Sequence, residues 1–296
     1  MWYKKEEHIL EQKPPSGYRL SVCQFEPAFL DKQANLAKME DMAQQAALAG
    51  AQLVIFPECC VTSYQVGQLV HEMAKYAEVI HGPDRGPSVR RMEALANELN
   101  VQFIFGIPEL ANRETYNSAV HVVPKQGVIS SYHKVHLWGT EEEVFTPGHR
   151  FSVLEGPLGL LGSLVCYDLE FPEASRTLAI MGAQLIAVST ANMRPWEESN
   201  RIYARARAME NCIFIAVANC IGKSGSTEFF GGSIIVDPYG HVLAEAGSSE
   251  AILVADIDLE IIADATKKTG HLQKRRAELY GALCTVTGGS SRTLKQ

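Results

Sequence analysis

The stretch "NLAKMEDMAQQAALAGAQLVIFPECC", residues 35–60, decides the fold class because it joins two hydrophobic periods in one unit. Leu36, Met39, Ala43 and Ala46 recur at helical spacing, which puts one apolar face on a helix that stops at Gly50. The apolar run "QLVIF" then reads as the strand this helix feeds. Beyond it stand Glu58 and two adjacent cysteines, Cys59 and Cys60, and the question is which of the three is chemical.

The same unit recurs at once. "SVRRMEALANELN" carries Val89, Met92, Leu95, Ala96 and Leu99 at helical spacing and leads into the strand "VQFIFGIPE". From residue 117 the pattern turns to hairpins: "SAVHVV" and "VISSYHK" flank "PKQG", and later "GGSIIVD" and "HVLAEAG" flank "PYG" with its Asp237-Pro238 turn. Between them "LGLLGSLVC" runs into Pro172, which suits the first position of a helix, and Gly182 precedes the strand "AQLIAVST". A further helix, "NRIYARARAMEN", leads to the strand "CIFIAVANC". Helix–strand units mixed with hairpins argue for mixed sheets covered by helices, an α/β class distinct from a simple doubly wound parallel sheet. With no linker, low-complexity tract or repeat, the expected organisation is an extension over 1–17, one domain over 18–282 and a tail over 283–296.

Composition narrows the function classes. A chain of 296 residues with 46% hydrophobic content can bury a large core. With 27 Lys and Arg against 34 Asp and Glu, the formal net charge of −7 offers no general attraction to nucleic acid or anionic membrane. The basic cluster "KKTGHLQKRR" at 267–276 has no recognition motif or aromatic platform beside it and reads as a solvated face or subunit contact. Charges and a Pro-Pro pair run through "MWYKKEEHILEQKPPSGYRL", where a secretory signal needs an unbroken apolar stretch, and no other segment reads as a membrane span. Seven cysteines (23, 59, 60, 166, 212, 220, 284), with no Cys-x-x-Cys pair, point to a reduced cytoplasmic protein with free thiols, without a disulfide framework or zinc site.

Several familiar sites are missing. "GKSGS" fails the Ser-hydrolase elbow at its last position, no glycine-rich phosphate loop follows a strand, and "HEMAKY" lacks the second histidine of a zinc protease. His133 and His136 in "HKVH" lie three apart on an extended segment and so face opposite ways, which makes them structural or substrate-adjacent before metal ligands.

What remains is an acid, a base and a thiol in one kind of setting. Glu58, Lys134 and Cys166 each stand where a strand ends, and residues just past the carboxyl ends of strands gather at the ligand crevice of α/β folds. A thiol near pKa ~8.5 is a poor nucleophile at neutral pH until a base removes its proton or a cation stabilises the thiolate. Each residue alone also has a bland role: Cys166 as a buried structural thiol, Glu58 as an acidic cap, Lys134 as a solvated charge.

Longer strings around the three resemble the nitrilase superfamily of carbon–nitrogen hydrolases: "FPECCVTSY", "YHKVHL" and "CYDLEFPE", with "EEEVFTPG", "STANM", "RARAMEN", "EFFGGS" and "DPYG" in the same order over roughly residues 18–260. The resemblance implies a four-layer α-β-β-α sandwich and a homodimer or larger assembly. It puts the family's glutamate on Glu58, its lysine on Lys134 and its nucleophile on Cys166. The auxiliary glutamate, seven residues before the glycine of "FTPG", falls on Glu141, with Glu142 as the alternative. Tyr167, Asn192, Tyr64 and Glu170 become candidates for the oxyanion and substrate pocket. No metal or organic cofactor is implied.

The implied reaction is amide hydrolysis through a thioester on Cys166, with Glu58 as proton carrier and the Lys134 ammonium and the Tyr167 backbone N–H at the oxyanion. "CYD" is similar to the amidase branches. Members that act on carboxylate-bearing substrates often place an arginine shortly after the cysteine, where this chain has Leu169 and Glu170, so the expected substrate is a small neutral or amine-bearing amide. The competing readings are a nitrilase or N-carbamoyl-amine amidohydrolase with the same three residues, a Cys-His hydrolase using His133 or His136, and a catalytically silent binding protein of the same fold. Cys59 and Cys60 read as packing residues, and Glu173 as a helix N-terminal charge.

Overall fold

In the computed structural model, which describes residues 16–284, the alternation within "LVIF" separates two cores. Leu53 and Ile55 face a second sheet, whereas Val54 and Phe56 face helices. The strand Leu53–Ile55 sits inside a six-stranded sheet in the spatial order Ala251–Asp258, Gly17–Gln24, Leu53–Ile55, Gln102–Ala111, Glu114–Val123, Gly127–His133. Its three middle strands run parallel and the outer pairs antiparallel. A second six-stranded sheet orders Val242–Glu245, Ile234–Val236, Phe214–Asn219, Leu185–Thr190, Gly159–Val165 and Val153–Gly156, again parallel at the centre.

One apolar cluster joins Leu20, Ile55 and Ile104 of the first sheet to Leu164 and Val188 of the second. It continues to Ala174 and Leu178 on the helix Pro172–Ile180 and Ala204 and Ala208 on the helix Glu197–Asn211. On the other side Met39, Ala43 and Ala46 of the helix Lys32–Leu48, with Val89, Met92 and Leu95 of the helix Pro87–Leu99, cover the first sheet. The architecture is therefore the four-layer α-β-β-α sandwich, and the four helix–strand units and both hairpins fall where the sequence patterns put them.

Local chemistry sets the ends. The Asp31 side chain accepts from the Ala34 N–H and starts the first helix three residues before the quoted stretch, and Gly50 leaves it with φ of +85°. The first strand begins at Gly17, inside the expected extension, and the Ser16 carbonyl accepts from the Leu259 N–H. The rest of the extension and most of the expected tail lie outside the described residues. Lys267 and Lys268 occupy the last turn of the exposed helix Glu260–Thr269, where cations suit the helix dipole. No helix among the described residues is long and apolar enough to cross a membrane.

One close approach is needed to bring the Glu58 segment onto the sheet. The strand Gln102–Ala111 passes beneath Pro57–Cys59, and a Cβ on Gly106 would lie 2.3 Å from the Cys59 nitrogen and 2.6 Å from the Glu58 Cα. Gly106→Ala is expected to cost about 1–3 kcal/mol of stability through overpacking, visible as a lowered Tm in a thermal unfolding scan. An unchanged Tm would show that the backbone beneath Glu58 can yield.

Candidate active site

Glu58 lies three residues past its strand, not at its end as the run "QLVIF" suggested, because the ladder closes with the Phe56 N–H on the Ile104 carbonyl and Pro57 has no N–H to extend it. The chain then turns across the seam between the sheets. The Glu58 N–H donates to the Thr190 carbonyl at 3.4 Å, and the Ser189 hydroxyl donates to the Phe56 carbonyl at 2.8 Å, so strand Leu185–Thr190 of the second sheet holds the segment.

Four fully buried side chains meet there. Lys134, one residue past the strand Gly127–His133, donates to Glu58 Oε1 at 2.9 Å and to Glu141 Oε1 at 2.8 Å. Asn117, from the neighbouring strand Glu114–Val123, donates to the same two oxygens at 2.7 and 3.1 Å. Glu141 Oε2 accepts from the Trp138 N–H at 2.7 Å. Of the carboxylate oxygens in this cluster, Glu58 Oε2 is buried without a hydrogen-bond partner among the described residues. The structure thus brings Glu141 into the cluster and leaves Glu142 exposed.

Cys166 comes from the other sheet. It follows the strand Gly159–Val165 with φ of +47°, a sharp turn that lifts its thiol out of the sheet into the cluster's field. Asp168 anchors this turn: its carboxylate accepts from the Val165 and His136 N–H groups and from the Tyr132 hydroxyl, which ties the second sheet to the segment after Lys134. Arg207 donates to the Leu169 and Glu170 carbonyls at 3.0 and 2.7 Å and holds the turn from the helix side. The Cys166 thiol donates to Asn192 Oδ1 at 3.3 Å, and Asn192 is fixed by Asn200 and Asn219.

The electrostatics of the group are lopsided. Burial pushes the Glu58 carboxyl up, helped by Glu141 and opposed by Lys134 and Asn117. Burial disfavours the Lys134 ammonium, but the carboxylates of Glu141 and Glu58 outweigh it and hold its pKa well above the ordinary value. Burial and then the Glu58 charge push the Cys166 thiol up, so it rests protonated. A protonated thiol, a carboxylate with one free oxygen and a permanent cation stand together.

A cavity of about 250 Å³ opens above Cys166. Tyr64, Tyr167, Glu170 and Asn192, all read from the sequence as pocket candidates, line it, joined by Trp138, Met193, Trp196 and Tyr203. The Tyr64 ring lies 5.8 Å from Lys134 Nζ. Burial raises the Glu170 carboxyl, with Arg207 and Lys134 pulling the other way.

The histidines go elsewhere. His133 pairs with Glu109 at 3.0 Å and stacks on Tyr116, while His136 pairs with Asp168 at 2.8 Å and stacks on Phe171. Among the described residues no group of three or more His, Cys, Asp or Glu could hold a metal. Cys60 packs under the helices and Cys59 in a smaller apolar cluster with Tyr64, Val70 and Phe145, both as packing residues, and the Cys59 thiol also lies 3.4 Å from Asn117 Oδ1. Asn117, Asp168 and Trp138 were not among the sequence candidates. The only signal for Asn117 was its place opposite Lys134 in the hairpin, where its carbonyl accepts the Lys134 N–H.

The chain is similar to known proteins along most of its length. The family model described as carbon-nitrogen hydrolase matches residues 19–267. An (R)-stereoselective amidase from a Pseudomonas species is 35% identical over 230 residues, covering 77% of this chain and 81% of the relative. An omega-amidase from Xenopus tropicalis is 33% identical over 275 residues, covering 89% and 96%. A solved structure of a mutant amidase from Nesterenkonia sp. AN1, with the acetamide moiety of fluoroacetamide covalently added at its active-site cysteine, gives a TM-score of 0.78 at 32% identity, covering 92% of this chain and 99% of that one.

Proposed function

The chain belongs to the carbon–nitrogen hydrolases of the nitrilase superfamily, hydrolases of non-peptide carbon–nitrogen bonds, and from this premise we propose that it cleaves a small neutral or amine-bearing carboxamide to a carboxylic acid and ammonia through a thioester on Cys166. The observation that carries the reading is the unpartnered Glu58 Oε2, buried beside a protonated thiol while Lys134 and Asn117 hold the other carboxylate oxygen.

In the proposed sequence Glu58 accepts the Cys166 proton as the sulfur bonds to the amide carbon. The oxygen gains negative charge next to Lys134, which has three N–H donors and spends two on Glu58 and Glu141, so one is left for the oxyanion. The carbon–nitrogen bond then breaks, and Glu58 passes its proton to the departing ammonia. Water next attacks the thioester, giving its proton to Glu58, which returns it to the sulfur as the acid leaves. Glu141 positions Lys134.

The cavity wall supports the substrate class. Among the described residues Glu170 is the one charged side chain on it, and Trp138, Tyr167, Trp196 and Tyr203 surround the rest with π faces. A substrate carboxylate meets repulsion there, whereas an apolar or ammonium-bearing group meets favourable surfaces. Its kcat/KM is expected to be at least tenfold higher for an amino-acid amide or simple aliphatic amide than for a dicarboxylate monoamide, and Glu170→Gln should narrow that gap. A preference for the dicarboxylate monoamide would sink the substrate assignment. Carbon dioxide released with the ammonia would mean carbamoyl cleavage instead.

A further inference from the structure

The orientation of the Asn117 amide can be derived. Carboxylate oxygens only accept, so the side of the amide facing Glu58 Oε1 and Glu141 Oε1 is its NH2 group, whose two hydrogens match the two acceptors. The amide oxygen therefore points away, to Cys59 Sγ at 3.4 Å. Cys59 is fully buried, and burial followed by the charges of Glu58 and Glu141 keeps its thiol protonated, so it has a proton to offer the amide oxygen. Without that donor the amide oxygen would be buried and unsatisfied, and its far side would no longer be held.

The geometry points to Asn117 as a positioning residue of the amidase, its amide direction set by the two carboxylates and backed by the Cys59 thiol, so that Glu58 is held by Oε1 and presents Oε2 for the proton of Cys166. The assignment rests on the amidase reading above. The terminal torsion of a glutamate is broad, so a carboxylate bonded to Lys134 alone can swing between oxygens. With Lys134 and Asn117 both on Oε1, and the Glu58 backbone pinned to Thr190, the other oxygen keeps one direction. Asn117 has no hydrogen bond to the Cys166 thiol and does not line the cavity, so it acts through Glu58.

Asn117→Leu keeps the volume and removes both donors. The expected result is a fall in kcat on the order of 100-fold with KM within about threefold, because a misdirected base slows the chemical step more than binding. Loss of a hydrogen bond to the charged form also moves the acidic limb of the kcat/KM profile to higher pH. Cys59→Ala should show the same limb shift with a fall in kcat on the order of tenfold, and Cys59→Ser, which keeps a donor, should recover most of both. A packing role alone would lower Tm in all three variants without moving the limb. Unchanged kcat and limb in Asn117→Leu, or equal behaviour of Cys59→Ala and Cys59→Ser, overturns the assignment. If Asn117→Leu does not fold, the Cys59 pair decides. Cys166→Ala in the same assay separates the two levels: turnover surviving there removes the amidase reading itself, whereas a dead Cys166→Ala beside a wild-type Asn117→Leu removes only the positioning role.

Discussion

Cys166→Ala is expected to fold normally and to form no acyl adduct when mixed with short amides and esters, with turnover reduced on the order of 10⁴–10⁶-fold, as for other enzymes that lose their nucleophile. Normal folding follows from the local backbone: φ is +47° at this position, and Ala carries the same Cβ into that conformation as Cys does, so no strain is added. The anchors of the turn, Asp168 and Arg207, do not touch the side chain removed. Intact-protein mass spectrometry gives the readout, with circular dichroism as the folding control. The adduct should persist in Cys59→Ala and Cys60→Ala, since both thiols are buried and line no part of the cavity. An adduct on Cys166→Ala, or one that vanishes with Cys59 or Cys60, would overturn the choice of nucleophile.

Glu58→Gln carries the second large effect. Glutamine fills the same space but cannot take a proton, and removing a general base costs about 10²–10⁴-fold. The pH dependence gives the sharper signature. Burial, with Glu141 behind it, raises the Glu58 carboxyl against the pull of Lys134 and Asn117, so the group takes up its proton at a higher pH than an ordinary glutamate near ~4.3. Only its ionised form accepts from Cys166, so kcat/KM should fall on acidification along a limb displaced upward from the usual glutamate range, and Glu58→Gln should lose that limb. Because burial and then Glu58 keep the resting thiol protonated, alkylation of Cys166 by iodoacetamide should follow the same limb. An unaltered acidic limb in Glu58→Gln would assign the proton to another group.

Much of the fold was legible because its signals are local. Met39, Ala43 and Ala46 recur at helical spacing and are buried, and Gly50 marks the stop with a left-handed backbone. Leu53, Val54 and Ile55 alternate between two cores, which only a strand between two layers does. The pairing of "LGLLGSLVC" with "AQLIAVST", which puts Cys166 at the seam, is non-local, and no periodicity within either strand marks it. The site divides the same way. Glu58, Lys134 and Cys166 sit inside long strings and could be read, whereas Asn117 has no local mark: its role is fixed by Cys59, 58 residues earlier, and Glu141, 24 residues later. Cys59 packs in an apolar cluster as its sequence setting suggests, and its contact with Asn117 and the charge of Lys134 reach it through space alone. Spacing from Gly148 favours Glu141 over its neighbour Glu142, and the short 3₁₀ turn Gly139–Glu143 buries the first and exposes the second.

Glu58 and Lys134 belong to one sheet and Cys166 to the other, with the Thr190 carbonyl fastening the Glu58 backbone across the seam. Reactivity is therefore absent from either half of the molecule. A chain still emerging from the ribosome has displayed its acid and its lysine long before its thiol, and a thiol not yet seated against the first sheet is as unreactive as free cysteine at neutral pH. In the proposed reaction Cys166 gains its base only where sheet meets sheet, so a change that loosens this seam is expected to silence the thiol even where each sheet keeps its own strands.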